Sequence, residues 1–133
     1  MTSRLELIPL LGFPLVEPGD DLARTIYSAL ENNALHLQRG DVLVIAQKIV
    51  SKAEDRYVRL AEVDVSAEAL ALAEQAHKDP RVVQLILQES VAVLRVCPGV
   101  IIVEHRNGYV HANAGIDKSN IPRDPADPRV LLL

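Results

Sequence analysis

Aromatic residues make up only 3% of this 133-residue chain, and tryptophan is absent. Any buried core must therefore be aliphatic, built from Val, Leu, Ile and Ala, and the length suits one domain with a substantial interior. Cysteine is represented once, by Cys97, which excludes an intrachain disulfide and fits a reducing, cytoplasmic compartment. Next to Pro98 it reads as a small buried residue at a strand end rather than a catalytic thiol, since no His partner is identifiable in sequence. Positive charge is not in excess: 14 Lys and Arg against 18 Asp and Glu leave a formal charge of −4. That balance argues against nucleic acid as a partner, which requires a basic face, and leaves only local basic pockets. Long apolar runs are missing too. The opening LeuGluLeuIleProLeuLeuGlyPheProLeuVal is broken by Glu6, Pro9, Gly12 and Pro14, so it fits neither a signal-peptide core nor a membrane span. There is no zinc-ligand spacing, Walker loop, Rossmann glycine fingerprint, nucleophile elbow or internal repeat.

What is present alternates between strand-like and helix-like patterns. Leu5, Leu7 and Pro9 suggest a first strand, and ProGlyAspAsp at 18–21 closes a loop and caps a helix running to about Asn33. Leu22, Ile26 and Leu30 form the apolar stripe of that helix, widened by Ala23, Tyr27 and Ala34. Residues 42–46, ValLeuValIleAla, read as a buried strand. Ser66 caps a second helix to roughly His77, and Asp79 with Pro80 opens a third carrying Val82, Val83, Leu85, Ile86 and Leu87. Two strand-like runs follow, from Val91 and from Val100, separated by CysProGly. AsnGly at 107 and 108 then signals a hairpin with a two-residue turn. That turn would set Arg106 opposite Tyr109, His105 opposite Val110 and Glu104 opposite His111, which places His105 and His111 on opposite faces and argues against a two-His metal site. Glu104 and His111 would instead form a cross-strand polar pair. His36 and His77 fall at predicted helix ends, where interaction with terminal carbonyls is the plain role. The fold class is α+β: a mixed sheet with an antiparallel hairpin and about three packed helices.

Two segments carry the chemistry. Residues 110–120, ValHisAlaAsnAlaGlyIleAspLysSerAsn, pack small polar groups after a hairpin strand, which suits close approach of backbone to a ligand, with Asp117 available to hold a cation. The alternative is that Asp117 and Asn120 bond their own backbone in Asx turns. In residues 39–56, Gln47, Lys48, Ser51 and Lys52 gather donors beyond the 42–46 run, where phosphates and small substrates bind in open α/β sheets. Lys48 and Lys52 share a face if the segment is helical. The alternative is a solvated lysine pair. A lysine cluster plus one hard oxygen ligand fits a nucleotide with magnesium or manganese. The tail differs from both. After Asn120 it reads IleProArgAspProAlaAspProArg and then ValLeuLeuLeu, an apolar run that belongs to something continuing or docking elsewhere.

Four segments in order, IleProLeuLeuGlyPheProLeuValGluProGlyAspAspLeu, GlyAspValLeuValIleAlaGlnLysIleValSerLysAlaGlu, AspProArgValValGlnLeuIleLeuGlnGluSer and AlaAsnAlaGlyIleAspLysSerAsn, resemble the coenzyme F420:L-glutamate ligase family. The resemblance spans residues 5 to 133 and implies the amino-terminal part of a γ-glutamyl ligase domain, with 121–133 a Pro/Asp-rich tail leading to a missing second half. It implies a cytoplasmic, homodimeric enzyme that uses GTP with Mg2+ or Mn2+, and in some members K+, to join L-glutamate to a coenzyme F420 precursor through an acyl phosphate, with no covalent nucleophile on the protein. By the same resemblance Phe13, Pro14, Leu15 and Val16 match the guanine-nucleotide loop, Lys52 and Asn120 match nucleotide contacts, and Asp117 matches a metal ligand. Gln47 stands where relatives carry a small hydroxyl residue in the nucleotide site. Asp55 stands where relatives place Gly, a source of strain if φ is positive. The alternatives are a non-catalytic nucleotide-binding fragment and a dimer-forming structural module.

Overall fold

The Asp21 carboxylate accepts the Arg24 N–H at 3.0 Å, so one of the orphan donors at a helix start is satisfied and α1 begins at the next residue. In this computed structural model, residues 4–119, 126 and 128–133 are described, and the chain divides into two units, Met1–Asp55 and Arg56–Leu133.

The first unit holds α1 (Leu22–Asn32) and α2 (Gln47–Ala53) joined by irregular chain. On α1 the buried residues are Ala29 and Leu30. Ile26 is half-buried, whereas Tyr27, Ala23 and Ala34 of the expected stripe are exposed. The helix stops at Asn32, so His36 lies beyond the helix end rather than on it. Neither predicted strand forms. Residues 5–9 and 42–46 lie outside any strand, and Leu5, Leu7, Val42 and Val44 are 82–85% exposed. Aliphatic, β-branched sequence supplies the preference for a strand, but a strand exists only where a neighbour accepts its hydrogen-bond ladder. Among the described residues no backbone hydrogen bond forms in 5–8 or 42–45.

The second unit is where the apolar pattern is consummated. Ser66 caps α3 (Ala67–Ala76) by accepting the Ala69 N–H, and His77 ends it in the left-handed conformation, φ 51°. Asp79 and Pro80 open α4 (Pro80–Gln88), with Arg81 donating to both carboxylate oxygens at 3.0 and 2.6 Å. Those bonds hold the Asp79 carboxyl below its ordinary pKa. Ala69, Ala73 and Ala76, at i, i+4 and i+7, give α3 a small-residue face that packs on α4, while Val82, Val83, Leu85 and Ile86 are buried from the α4 side. β2 (Ser90–Cys97), β3 (Val100–His105) and β4 (Val110–Ala112) make an antiparallel sheet in that order, and β1 (Tyr57–Arg59) pairs antiparallel with β5 (Arg129–Leu131). Ile101 and Val103 of β3 and Val130 of β5 complete the core. The α+β reading with an antiparallel hairpin therefore holds, with four helices among the described residues.

One register differs from expectation. His105 N donates to Tyr109 O at 2.8 Å, and Glu104 faces Val110 while Val103 faces His111. The loop is thus Arg106–Asn107–Gly108, three residues with Gly108 at φ 87°, rather than the two-residue turn. A one-residue slip reverses the faces. The Glu104–His111 pair is not made, and His105, Tyr109 and His111 line up instead, with the His105 and Tyr109 rings stacked at 4.8 Å and Tyr109 edge-on to His111 at 6.3 Å.

Candidate functional site

In the first unit, residues 13–16, the stretch expected to contact a nucleotide, follow a clamp. Asn33, at the end of α1, donates from its amide to Leu11 O at 3.0 Å and accepts Leu11 N–H at 3.1 Å, fixing the turn that leads into residues 13–16. A third bond, from the same amide to Ala29 O at 2.7 Å, holds Asn33 to its own helix. Sequence reasoning missed this role; the only signal was an Asn at a helix end. Val16 is buried and Phe13 half-buried, while Pro14 and Leu15 are exposed. Beyond the loop, Gly19 N–H donates to Ala53 O at 2.9 Å and so ties this stretch to the end of α2.

The polar run after residue 46 is helical, so Lys48 and Lys52 do lie one turn apart, both half-buried. Ser51 is buried, and its hydroxyl accepts a bond from Gln47 Nε2 at 2.8 Å. The Gln47 amide is therefore engaged within the helix. Asp55, just past α2, has φ 53°, the left-handed backbone that a Gly would adopt at lower cost.

In the second unit the segment holding Asp117 is strained. Asn113, Ala114 and Gly115 have φ of 52°, 51° and 70°, three successive left-handed residues. The two non-glycines each cost on the order of 1 kcal/mol. Asn113 Oδ1 accepts the Ile101 N–H at 3.0 Å, and Ala114 is fully buried. At Gly115 a Cβ would run into the Leu133 side chain, so glycine is required there for space as well as for φ. The turn delivers Asp117 to a backbone pairing with Leu131, N–H to O at 3.0 Å and O to N–H at 2.9 Å. Strain of this kind concentrates at functional sites.

The Asp117 carboxylate accepts from Ser119 N–H at 2.7 Å and from Ser119 Oγ at 2.8 Å. This is the Asx turn that the sequence left open as an alternative. Among the described residues no group of three His, Cys, Asp or Glu side chains could hold a metal. One carboxylate already bonded to Ser119 does not make a divalent-cation site by itself, because such ions need several converging oxygens. Asn120 lies outside the described residues. Phe13, Pro14, Leu15, Val16, Gln47 and Lys52 fall in the first unit and Asp117 in the second.

A buried charge cluster in the second unit was not foreseen. Glu89, at the end of α4 and 4% exposed, takes Arg56 Nη2 at 2.6 Å and Arg106 Nη2 at 3.0 Å. Fully buried His105 has its Nε2 3.6 Å from Glu89, too long for a hydrogen bond, and its Nδ1 accepts the Asn107 N–H at 3.1 Å. Burial holds the His105 pKa below its ordinary 6.5, and the charges of Arg106 and Arg56 add to that, against the pull of Glu89. Arg56 Nε also donates to Leu133 O at 3.2 Å. The cluster ties the end of α4 to the residue before β1 and to the hairpin turn.

The family model for F420-0:gamma-glutamyl ligase matches residues 11–133. Coenzyme F420:L-glutamate ligase of Methanothermobacter thermautotrophicus is 47% identical, over 91% of this chain and 51% of its own length. The proteins of that name from Methanopyrus kandleri and Archaeoglobus fulgidus are 49% and 39% identical, matched over 45% and 50% of their lengths. The chain thus spans about half the length of the curated relatives it matches. With the family model matched over residues 11–133 and 39–49% identity to those three ligases, the chain belongs to the F420-0:gamma-glutamyl ligase family.

Proposed function

We propose that this chain forms part of an amide ligase that adds γ-linked L-glutamate to a coenzyme F420 precursor. The observation that carries the reading is the family match over residues 11–133, joined to relatives whose name states the reaction. In this reading GTP is the co-substrate. Its γ-phosphoryl passes to the terminal carboxylate of the precursor, forming a P–O bond as the β–γ bridge breaks and GDP leaves. The glutamate amine then attacks the acyl phosphate, losing a proton as the amide forms and inorganic phosphate departs. Such transfers depend on positioning and charge neutralisation rather than on a protein nucleophile. Residues 13–16, held by the Asn33 clamp, would seat the nucleotide. Lys52, half-buried on the same helix as Gln47, would face its phosphates, and Asn120 is assigned to the nucleotide as an expectation of the family.

The donor set described above does not complete a magnesium or manganese site, so no step here is routed through a metal; Asp117 is assigned to that site, and potassium to the same reaction, as expectations of the family. A homodimer and a cytoplasmic setting belong to the same reading, the latter supported by the lone thiol of Cys97. No helix among the described residues is long and apolar enough to cross a membrane. The test is Asp117→Ala in a full-length enzyme containing this sequence, assayed for GTP-dependent glutamate incorporation with saturating manganese. Loss of ligation with an unchanged circular dichroism spectrum is expected, and near-normal turnover would contradict the assignment.

A further inference from the structure

Three loops of the second unit meet at one end, and cations collect there. Gly99, in the turn between β2 and β3, donates its N–H to Ala76 O at 2.7 Å, and Lys78 Nζ donates to Gly99 O at 2.9 Å. These bonds tie that turn to the link between α3 and α4. Asn113 Oδ1, bonded to the Ile101 N–H at 3.0 Å, brings the left-handed turn at 113–115 to the same hairpin. The chain leaves it through Asp117 and the exposed Lys118, which lies near enough to act electrostatically on both Lys78 and Asp79. The half-buried Lys78 ammonium has its pKa lowered by burial first and by Lys118 second. Two ammonium groups in reach of each other repel, and the nearby carboxylates are already engaged. Asp79 takes Arg81 Nε at 3.0 Å and Nη2 at 2.6 Å, and Asp117 takes Ser119. That grip fixes the plane of the Arg81 guanidinium and leaves its Nη1 without a hydrogen bond among the described residues. An oriented guanidinium beside two ammonium groups suits carboxylates, which accept Arg as a planar fork and Lys as a point charge.

We infer that Lys78, Arg81 and Lys118 bind the two carboxylates of the L-glutamate that the ligase adds. The inference rests on the reaction proposed above and says where its amine substrate is held. The other anions of that reaction change as it proceeds. The γ-phosphoryl is transferred, and the precursor's carboxylate must attack phosphorus, so fixed cations on its oxygens would lower its nucleophilicity. The carboxylates of glutamate keep their charge from binding to product, and a permanent set of cations suits them.

The test uses a full-length enzyme containing this sequence. In Lys118→Gln and Arg81→Gln the KM for glutamate should rise about tenfold or more, with those for GTP and the precursor within about twofold of the parent. Arg81→Gln also removes the partner of Asp79, so Lys118→Gln, at an exposed position, decides the matter if the other variant fails to fold. Arg95→Gln, exposed on β2, should leave all three constants unchanged. Calorimetric titration of L-glutamate, with and without saturating GTP, separates the site from the reaction. Binding to the parent that weakens about tenfold in Lys118→Gln would support the site even in an enzyme that forms no amide. No glutamate binding by the parent, equal binding by parent and Lys118→Gln, or a rise confined to the KM of GTP or of the precursor would overturn the assignment.

Discussion

The two units use the same aliphatic vocabulary to different ends. Of the fifteen large hydrophobic residues that are exposed among the described residues, eleven lie in Met1–Asp55 and four in Arg56–Leu133. In the second unit α3, α4 and the hairpin sheet bury one another's apolar faces, and the buried Glu89 carboxylate is paired with Arg56 and Arg106. In the first, two short helices bury little beyond Val16, Ala29 and Leu30. The difference teaches that hydrophobic patterning announces a demand for cover and not its location. Helices satisfy their own backbone and need only one apolar partner, whereas a strand forms only where at least one neighbour accepts its hydrogen-bond ladder.

Substitutions can break or sharpen this contrast, and the largest effect belongs to the charge cluster. Glu89→Ala leaves Arg56 and Arg106 without their shared carboxylate and should destabilise the second unit by about 3–5 kcal/mol, read as a lowered midpoint in urea. A matched pair of truncations compares the units directly. Ile86→Ala, at a fully buried position, should cost about 2–5 kcal/mol, while Val44→Ala should stay within about 0.5 kcal/mol in this chain. Equal costs would erase the distinction.

Acid should also act on the second unit. The folded pKa of His105 lies below its ordinary value near 6.5, so the unfolded chain binds the extra proton first. Stability attributable to this group is complete above 6.5 and declines as the pH falls below it. Protonation would also place a hydrogen on Nδ1, where the Asn107 N–H now donates, loosening the hairpin turn. Urea titrations between pH 7.5 and 5.5 check the sign, and His105→Gln should flatten the dependence. The smallest effect is at Asp55, where Asp55→Gly relieves a left-handed φ and should stabilise by under about 1 kcal/mol in thermal melts.

Legibility in the sequence followed the same division. The caps at Asp21, Ser66 and Asp79 and the strands flanking Cys97 were readable because each is fixed by residues close in sequence. Residues 5–9 and 42–46 were misread as paired strands because pairing depends on chain elsewhere. The AsnGly turn was recognised but its length was not, since Gly108 serves either turn and the choice rests on the burial of His105 beneath Tyr109. At the candidate site, Asp117 and Lys52 stood out by chemistry. The Asn33 clamp and the left-handed turn at 113–115 did not, because an amide bridging 22 residues and a non-glycine at positive φ leave no periodic trace. At Asp55 the φ of 53° meets the condition under which strain was expected there.

Amide hydrogen exchange on the 133-residue chain alone tests the central contrast most directly. Residues 42–45 should exchange close to the rate of unstructured peptide, while β3, at Ile101 and Val103, should exchange only through unfolding of the second unit. Protection of 42–45 comparable to that of β3 would mean that the first unit has already paired its strands, and would contradict the account.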